Sequence, residues 1–139
     1  MKRSSSFTLI ELLVVLAVIS SLLAISITGI SRFKSSLEYR SSVDQVLSDV
    51  RLAQQLADST SDVCRIDFKA GKNVYSVSQN GSIVRNGRVS NGVQFYGKSY
   101  FSFVPSGYTD VGGSGTLFLG GSASVKKIIV SSRGRIRVE

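Results

Sequence analysis

Three features of this chain could do chemistry: an acid in an apolar run, a lone thiol, and a row of cations at the far end. The acid is Glu11, inside Phe7-Thr8-Leu9-Ile10-Glu11-Leu12-Leu13-Val14-Val15-Leu16-Ala17-Val18-Ile19, a stretch that stays apolar to about Ile30. A carboxylate in such a segment costs about 2.5–3.5 kcal/mol at the centre of a membrane helix and less near its end. A chain that keeps it has a use for it. The thiol is Cys64, the single cysteine. It has no partner for an intramolecular disulfide and reads as a buried small hydrophobe. The cations are Arg135 and Arg137 in Gly134-Arg135-Ile136-Arg137. Gly134 permits a tight turn. The two arginines then project to one face of an extended segment, roughly 6.6 Å apart. Lys126, Lys127 and Arg133 enlarge the patch, and Glu139 opposes it. There is no histidine, so neither a histidine base nor a histidine metal ligand is available. No Ser/Lys, Cys or carboxylate arrangement suggests catalysis. The expectation is a protein that is not an enzyme and has no cofactor or metal.

The elements that must position these residues are legible in the patterning. The leader Met1-Lys2-Arg3-Ser4-Ser5-Ser6 has two cations and small polar residues. The apolar run behind it is longer than a secretory signal core and no small-residue cleavage site follows it. It is long enough to span a bilayer as a helix. Charge counting leaves orientation undecided, because Arg32, Lys34, Arg40 and Arg51 follow the run and offset Lys2 and Arg3. Beyond the run, Ile30, Phe33, Leu37, Val43, Val46, Leu47, Val50, Ala53 and Ala57 recur mostly at three, four and seven. Arg32, Lys34, Glu38, Arg40, Asp44, Asp49 and Arg51 lie mostly between them, which is amphipathic helical periodicity. The spacing predicts a nearly continuous helix from about Phe7 to Ala57, ended by Ser59-Thr60-Ser61, with the stripe from about Val43 to Ala57 packed on a sheet.

After residue 61 the period changes to two. Cys64, Ile66 and Phe68 face one side of a strand, and Arg65, Asp67 and Lys69 the other. Further strands are predicted near Tyr75–Gln79, Ile83–Arg85, Val93–Tyr96, Tyr100–Val104, Thr116–Leu119, Lys127–Ser131 and Arg135–Val138. Gly71, Asn80-Gly81, Asn86-Gly87 and Asn91-Gly92 read as turns between them. Short strands at regular spacing indicate an antiparallel sandwich or meander. The fold class is therefore α+β. At 139 residues there is room for one membrane helix and one soluble core.

Ser6-Phe7-Thr8-Leu9-Ile10-Glu11 resembles the processing site of type IV prepilins and type II secretion pseudopilins. The resemblance implies cleavage between Ser6 and Phe7 by prepilin peptidase and N-methylation of Phe7. Glu11 is then the retained acid at the fifth mature position. The family usually has Gly before the cut, where this chain has Ser6. Processing creates a positive amine at Phe7. In a filament that amine can approach Glu11 of a neighbouring subunit, and an opposite charge favours the ionised carboxylate. A misregistered subunit would leave a buried charge unpaired, at several kcal/mol. Glu11 would thus set assembly register. Its own Phe7, one helical turn away, is the alternative partner.

The C-terminal half resembles the GspH/FimT family of minor pilins and pseudopilins, through Val89–Phe95, Phe103–Gly107 and Ile128–Val138. The resemblance implies a pilin fold. It divides the chain into a leader (1–6), a transmembrane or filament-core helix (7–30), an amphipathic helix (31–58) and a β-rich domain (62–139). It places the N-terminus in the cytoplasm, a single pass in the bacterial inner membrane, and the C-terminal domain outside before assembly into a filament. The implied partners are other pilin subunits, prepilin peptidase and the inner membrane. FimT-like members are implicated in DNA uptake during natural transformation, and a Gly-Arg-x-Arg motif near their C-terminus contacts DNA. Gly134, Arg135 and Arg137 match it; Lys98, Arg85 and Arg88 are candidates to extend the site, and Tyr96, Tyr100 and Tyr108 are candidates to stack on bases, although aromatics in strands more often pack the core. The net charge is +8 before processing, which would remove Lys2 and Arg3. Two functions follow as expectations. One is a minor pilin that binds DNA without sequence specificity. The other is a structural pseudopilin of a type II secretion system with no nucleic-acid ligand.

Overall fold

Helix α1 spans Leu9–Thr60 in the computed structural model. The model describes residues 8–121 and 124–139, and for 25–29, 31 and 32 the helical backbone without side chains. The chain divides into two units, Met1–Ser36 and Leu37–Glu139.

In the first unit, the described side chains of α1 are exposed on every side. Leu9, Ile10, Leu12, Leu13, Leu16, Val18, Leu22 and Leu23 each keep more than half of their surface open. A helix apolar all round belongs in an apolar medium or among other helices. Its two serines fit that. The hydroxyls of Ser20 and Ser21 donate to the carbonyls of Leu16 and Val18 at 2.7 Å, which keeps them satisfied without water. Among the described residues no helix is long and apolar enough to cross a membrane. The span expected at 7–30 includes Phe7 and the side chains of 25–29, which lie outside the described residues.

In the second unit, α1 presents a buried stripe of Val43, Val46, Val50, Ala53 and Ala57, spaced three or four apart. It ends at Ser61, whose φ of 58° is left-handed. Two antiparallel sheets complete the fold. The first comprises β1 (Cys64–Phe68), β2 (Val74–Gln79), β3 (Ser82–Arg88) and β5 (Tyr100–Phe103), in the order β3-β2-β1-β5. The second comprises β4 (Gln94–Gly97), β6 (Gly115–Gly120), β7 (Val125–Val130) and β8 (Ile136–Val138), in the order β4-β6-β7-β8. Cys64, Ile66 and Phe68 alternate into the core, as the period of two requires. Phe68 packs on Phe95 at 5.2 Å and on Phe101 at 5.7 Å between ring centroids. Both sheets and the helix stripe therefore share one core. Burial pushes the Cys64 thiol up, and Asp62 adds to it, so it stays an inert thiol.

Two sequence expectations are corrected here. The periodicity puts Asp49 among the polar residues of α1, yet only 1% of its surface is open. Its Oδ2 accepts a 2.6 Å hydrogen bond from the Tyr75 hydroxyl on β2. Its Oδ1 meets the Arg85 guanidinium of β3 at 3.1 Å. A β-bulge makes this possible. The β2–β3 register runs Ser78↔Ile83 and then Val77↔Arg85, skipping Val84. Regular pairing would set Val84 opposite the buried Val77 and turn Arg85 to solvent. The extra residue re-aims Arg85 inward.

The second correction concerns Asn86-Gly87, which is no turn. Gly87 lies within β3 opposite Tyr75, and a Cβ there would collide with the Tyr75 ring. Asn80-Gly81 does make the β2–β3 turn, with φ of 48° and 82°. Asn91-Gly92 forms a turn in which Val93 N–H donates to Ser90 at 2.9 Å.

Asp49→Ala would leave the Tyr75 hydroxyl without its acceptor and Arg85 without its counter-charge. It should lower stability by about 1–3 kcal/mol, read by chemical denaturation. The same network sets an alkaline limit. Burial, and then the bond to Asp49, raise the Tyr75 pKa above its ordinary value. The folded chain therefore holds a proton that the unfolded chain releases near pH 10. Tyr75 thus contributes stability that is fully present below about pH 10 and lost as pH rises through the folded value. Tyr75→Phe should flatten that alkaline fall in a denaturation series against pH.

Candidate functional site

At the carboxyl end a turn is built before the cations are placed. Ser131 accepts from Gly134 N–H at 2.9 Å through its carbonyl. Its hydroxyl accepts from Arg135 N–H at 3.1 Å. Gly134 takes φ of 74° and is buried. A Cβ there would collide with the Gly107 carbonyl oxygen and crowd Gln54. The Gln54 amide of α1 fastens the arrangement. Its Nε2 donates to the Gly107 carbonyl at 2.8 Å and to the Gly134 carbonyl at 2.9 Å. Thr109 adds a bond from its N–H to the Ser132 carbonyl at 3.3 Å. The glycine of the Gly-Arg-x-Arg stretch is thus a structural residue, and only the arginines are free to act on a ligand.

β8 then pairs with β7 through Ile129↔Arg137 and Val130↔Ile136. Ile128 and Val130 are buried and Ile136 packs against the core. Arg137 and Ile129 lie on the opposite, outer face, with Arg135 beside Ser131. Arg133, Arg135 and Arg137 line one open concavity of about 360 Å³, with Ile129, Ser131 and Ser132. All three arginines are exposed. Among the described residues the ion pairs Arg65–Asp67, Arg85–Asp49 and Lys127–Glu139 use none of the three. No carboxylate lines the concavity, although Glu139 lies close enough to Arg137 to feel its charge, and the guanidiniums can present paired N–H donors to phosphate oxygens.

The remaining expected cations do not join them. Lys127 is on the outer face, but its ammonium is held by Glu139 at 2.7 Å. That contact keeps the Glu139 carboxyl below its usual range. Lys126 sits opposite Leu119, in the row that faces the core, and emerges only because it is at the strand's end. Arg85 is taken by Asp49, and Arg88 stands opposite Val74 in the other sheet. Lys98 lies 5.0 Å from the Tyr100 ring centroid, and Arg65 lies over the same ring at 3.9 Å. Tyr100 is therefore already occupied. Tyr96 and Tyr108 stay about half exposed.

At the amino end, Ser6 and Phe7 lie outside the described residues. Glu11 falls in the first turn of α1. Thr8 caps that turn, with its carbonyl accepting from Glu11 N–H at 3.1 Å and from Leu12 N–H at 3.2 Å. Its hydroxyl also accepts from Glu11 N–H, at 3.4 Å. Thr8-x-x-Glu11 has the spacing of a capping box, a signal carried by the sequence itself. A carboxylate here is favoured by the unpaired N–H groups and the positive end of the helix dipole, by about 0.3–1 kcal/mol.

Comparison with known proteins bears on the amino-terminal motif and on the fold. Residues 1–27 match the family described as the prokaryotic N-terminal methylation motif. Two crystal forms of the type IV minor pilin FimU of Pseudomonas aeruginosa share the fold. One has a TM-score of 0.64 at 16% identity, covering 77% of this chain and 92% of that one. The other has a TM-score of 0.60 at 14% identity, covering 72% and 91%. No curated protein sequence matches the chain. The chain thus combines the methylation motif with the α+β fold of a minor pilin, a long N-terminal helix on antiparallel sheets.

Gly134→Ala is expected to destabilise the chain by more than about 1 kcal/mol, because it meets both a left-handed φ and a backbone collision. Gln54→Ala should produce a smaller loss, about 1 kcal/mol for the released amide bonds. Thermal melts of the two variants check the order.

Proposed function

We propose that this chain, which has the motif and fold of the type IV minor pilin and pseudopilin family, is a DNA-binding minor subunit of a type IV filament. The observation that carries the DNA reading is the convergence of Arg133, Arg135 and Arg137 on one concavity with no carboxylate among them. Such a site neutralises phosphates and reads no bases. Its affinity comes from counter-ion release and falls steeply with salt.

In this reading prepilin peptidase cuts between Ser6 and Phe7 and Phe7 is N-methylated. Residues 7–30 anchor the subunit in the inner membrane with the amino end cytoplasmic, before it joins other pilins. Two features support Glu11 as the partner of a neighbour's Phe7 amine. It is exposed, and its place in the first turn of α1 keeps the carboxylate favourable when the surrounding helices are apolar.

Retention of DNA should fall with salt for the wild-type chain. Arg135→Ala with Arg137→Ala should weaken it for all sequences alike and reduce the slope of log affinity against log salt by about 2. A wild-type chain that retains no DNA at low salt would remove the uptake reading and leave a structural pseudopilin. Sequencing of the mature protein should begin at N-methyl-Phe7, and Glu11→Ala should impair incorporation into filaments while leaving the β-rich domain folded. A mature protein that keeps Met1–Ser6 would sink the processing claim.

A further inference from the structure

The arginine concavity is one margin of a larger surface, the outer face of the second sheet. Two aromatic residues stand on that face where core packing does not use them. Tyr96 on β4 and Phe118 on β6 are directly opposite each other. They keep 48% and 39% of their surface open, while the inward aromatics Phe95, Phe101 and Phe103 are fully buried.

The backbone under both rings is bare. A Cβ on Gly120 would come within 2.9 Å of the Tyr96 ring, and one on Gly97 within 2.9 Å of the Phe118 ring. The Tyr96 ring therefore covers Gly120, two places along the neighbouring strand, and the Phe118 ring covers Gly97, the residue after Tyr96. The Tyr96 hydroxyl also donates to Gln94 Oε1 on the same face.

Register connects them to the cations. Phe118 pairs with Lys127, and Thr116, two residues away, pairs with Ile129, which pairs with Arg137. Two strand spacings and a two-residue offset separate Phe118 from Arg137, roughly 12 Å between backbones. Lys127 consumes the Glu139 carboxylate that lies between. The face thus runs from an exposed aromatic pair, across a neutralised ion pair, to three free arginines.

We infer that this face is a platform for single-stranded nucleic acid, with bases stacked on Tyr96 and Phe118 and the backbone held by Arg135 and Arg137. The inference rests on the DNA reading above and names its ligand. In a duplex the base faces are already stacked and cannot reach a flat aromatic pair. In a single strand every base offers a face, and stacking is tolerant of sequence. The occupant has to be anionic, because the cations at this margin outnumber the carboxylates.

The test uses the full chain in detergent, with an oligo-dT strand and a duplex of the same length. Wild-type chain should bind oligo-dT more tightly than duplex. Tyr96→Leu with Phe118→Leu keeps apolar cover over the glycines. It should weaken oligo-dT binding at least about fivefold and leave duplex binding unchanged. Arg135→Ala with Arg137→Ala should weaken both. The chain has no tryptophan, so Tyr96→Trp provides a single emission at the site, which oligo-dT should quench and duplex should not. Equal wild-type affinity for the two probes, or an unquenched Tyr96→Trp, overturns the platform and leaves the arginine site standing. If the wild type binds neither probe, both readings fall together.

Discussion

A carboxylate buried in the middle of an apolar helix stripe must be answered by whatever packs against it. Asp49 sits between Val46 and Val50 on the face of α1 that enters the core. Left alone there it would cost several kcal/mol. Tyr75 and Arg85 answer it from two adjacent strands. The requirement then propagates outward. Arg85 reaches inward only because β3 has a bulge at Val84. Tyr75 fits only because the residue opposite it, Gly87, has no side chain. One charge thus sets the register of a hairpin, the place of a bulge and the identity of a glycine.

The same helix fastens the far end of the chain by a second polar contact. Gln54 lies just past Asp49 along α1, and its single amide nitrogen serves the carbonyls of Gly107 and Gly134. The turn that launches β8 is therefore held by the helix as well as by its own strand. Arginines presented by a fixed turn lose less freedom on meeting a ligand than arginines on a loose tail, which favours binding.

Glu11 and Asp49 make an instructive pair, since both are acids in apolar stretches of one helix. Asp49 is satisfied within its own domain and has nothing left to offer a partner. Glu11 is exposed and in the first helical turn, where the helix end favours its charge without consuming it. Among the described residues no ion pair holds Glu11, which is what the proposed assembly contact requires. The sequence alone ranked them the other way, as an anomaly at Glu11 and an ordinary solvated residue at Asp49.

The amino-acid sequence by itself determined the long helix, its stripe from Val43 to Ala57, the strands and the Asn80-Gly81 turn. These depend on periodicity and on local backbone preferences, which are properties of neighbouring residues. It also marked Arg135 and Arg137, because alternation puts them on one face of any extended segment. Tertiary structure decided the rest. It buried Asp49, turned Asn86-Gly87 from a turn into a strand, and took Lys127, Arg85 and Tyr100 out of the candidate site by giving them partners. It also brought Arg133 into one concavity with Arg135 and Arg137 and set Tyr96 and Phe118 on the outer face of the same sheet. Each of these outcomes depends on strand order and on a one-residue register shift, and the residues that set them are distant in sequence. Local pattern fixes which way a side chain leaves its own strand. Only packing decides what it finds there.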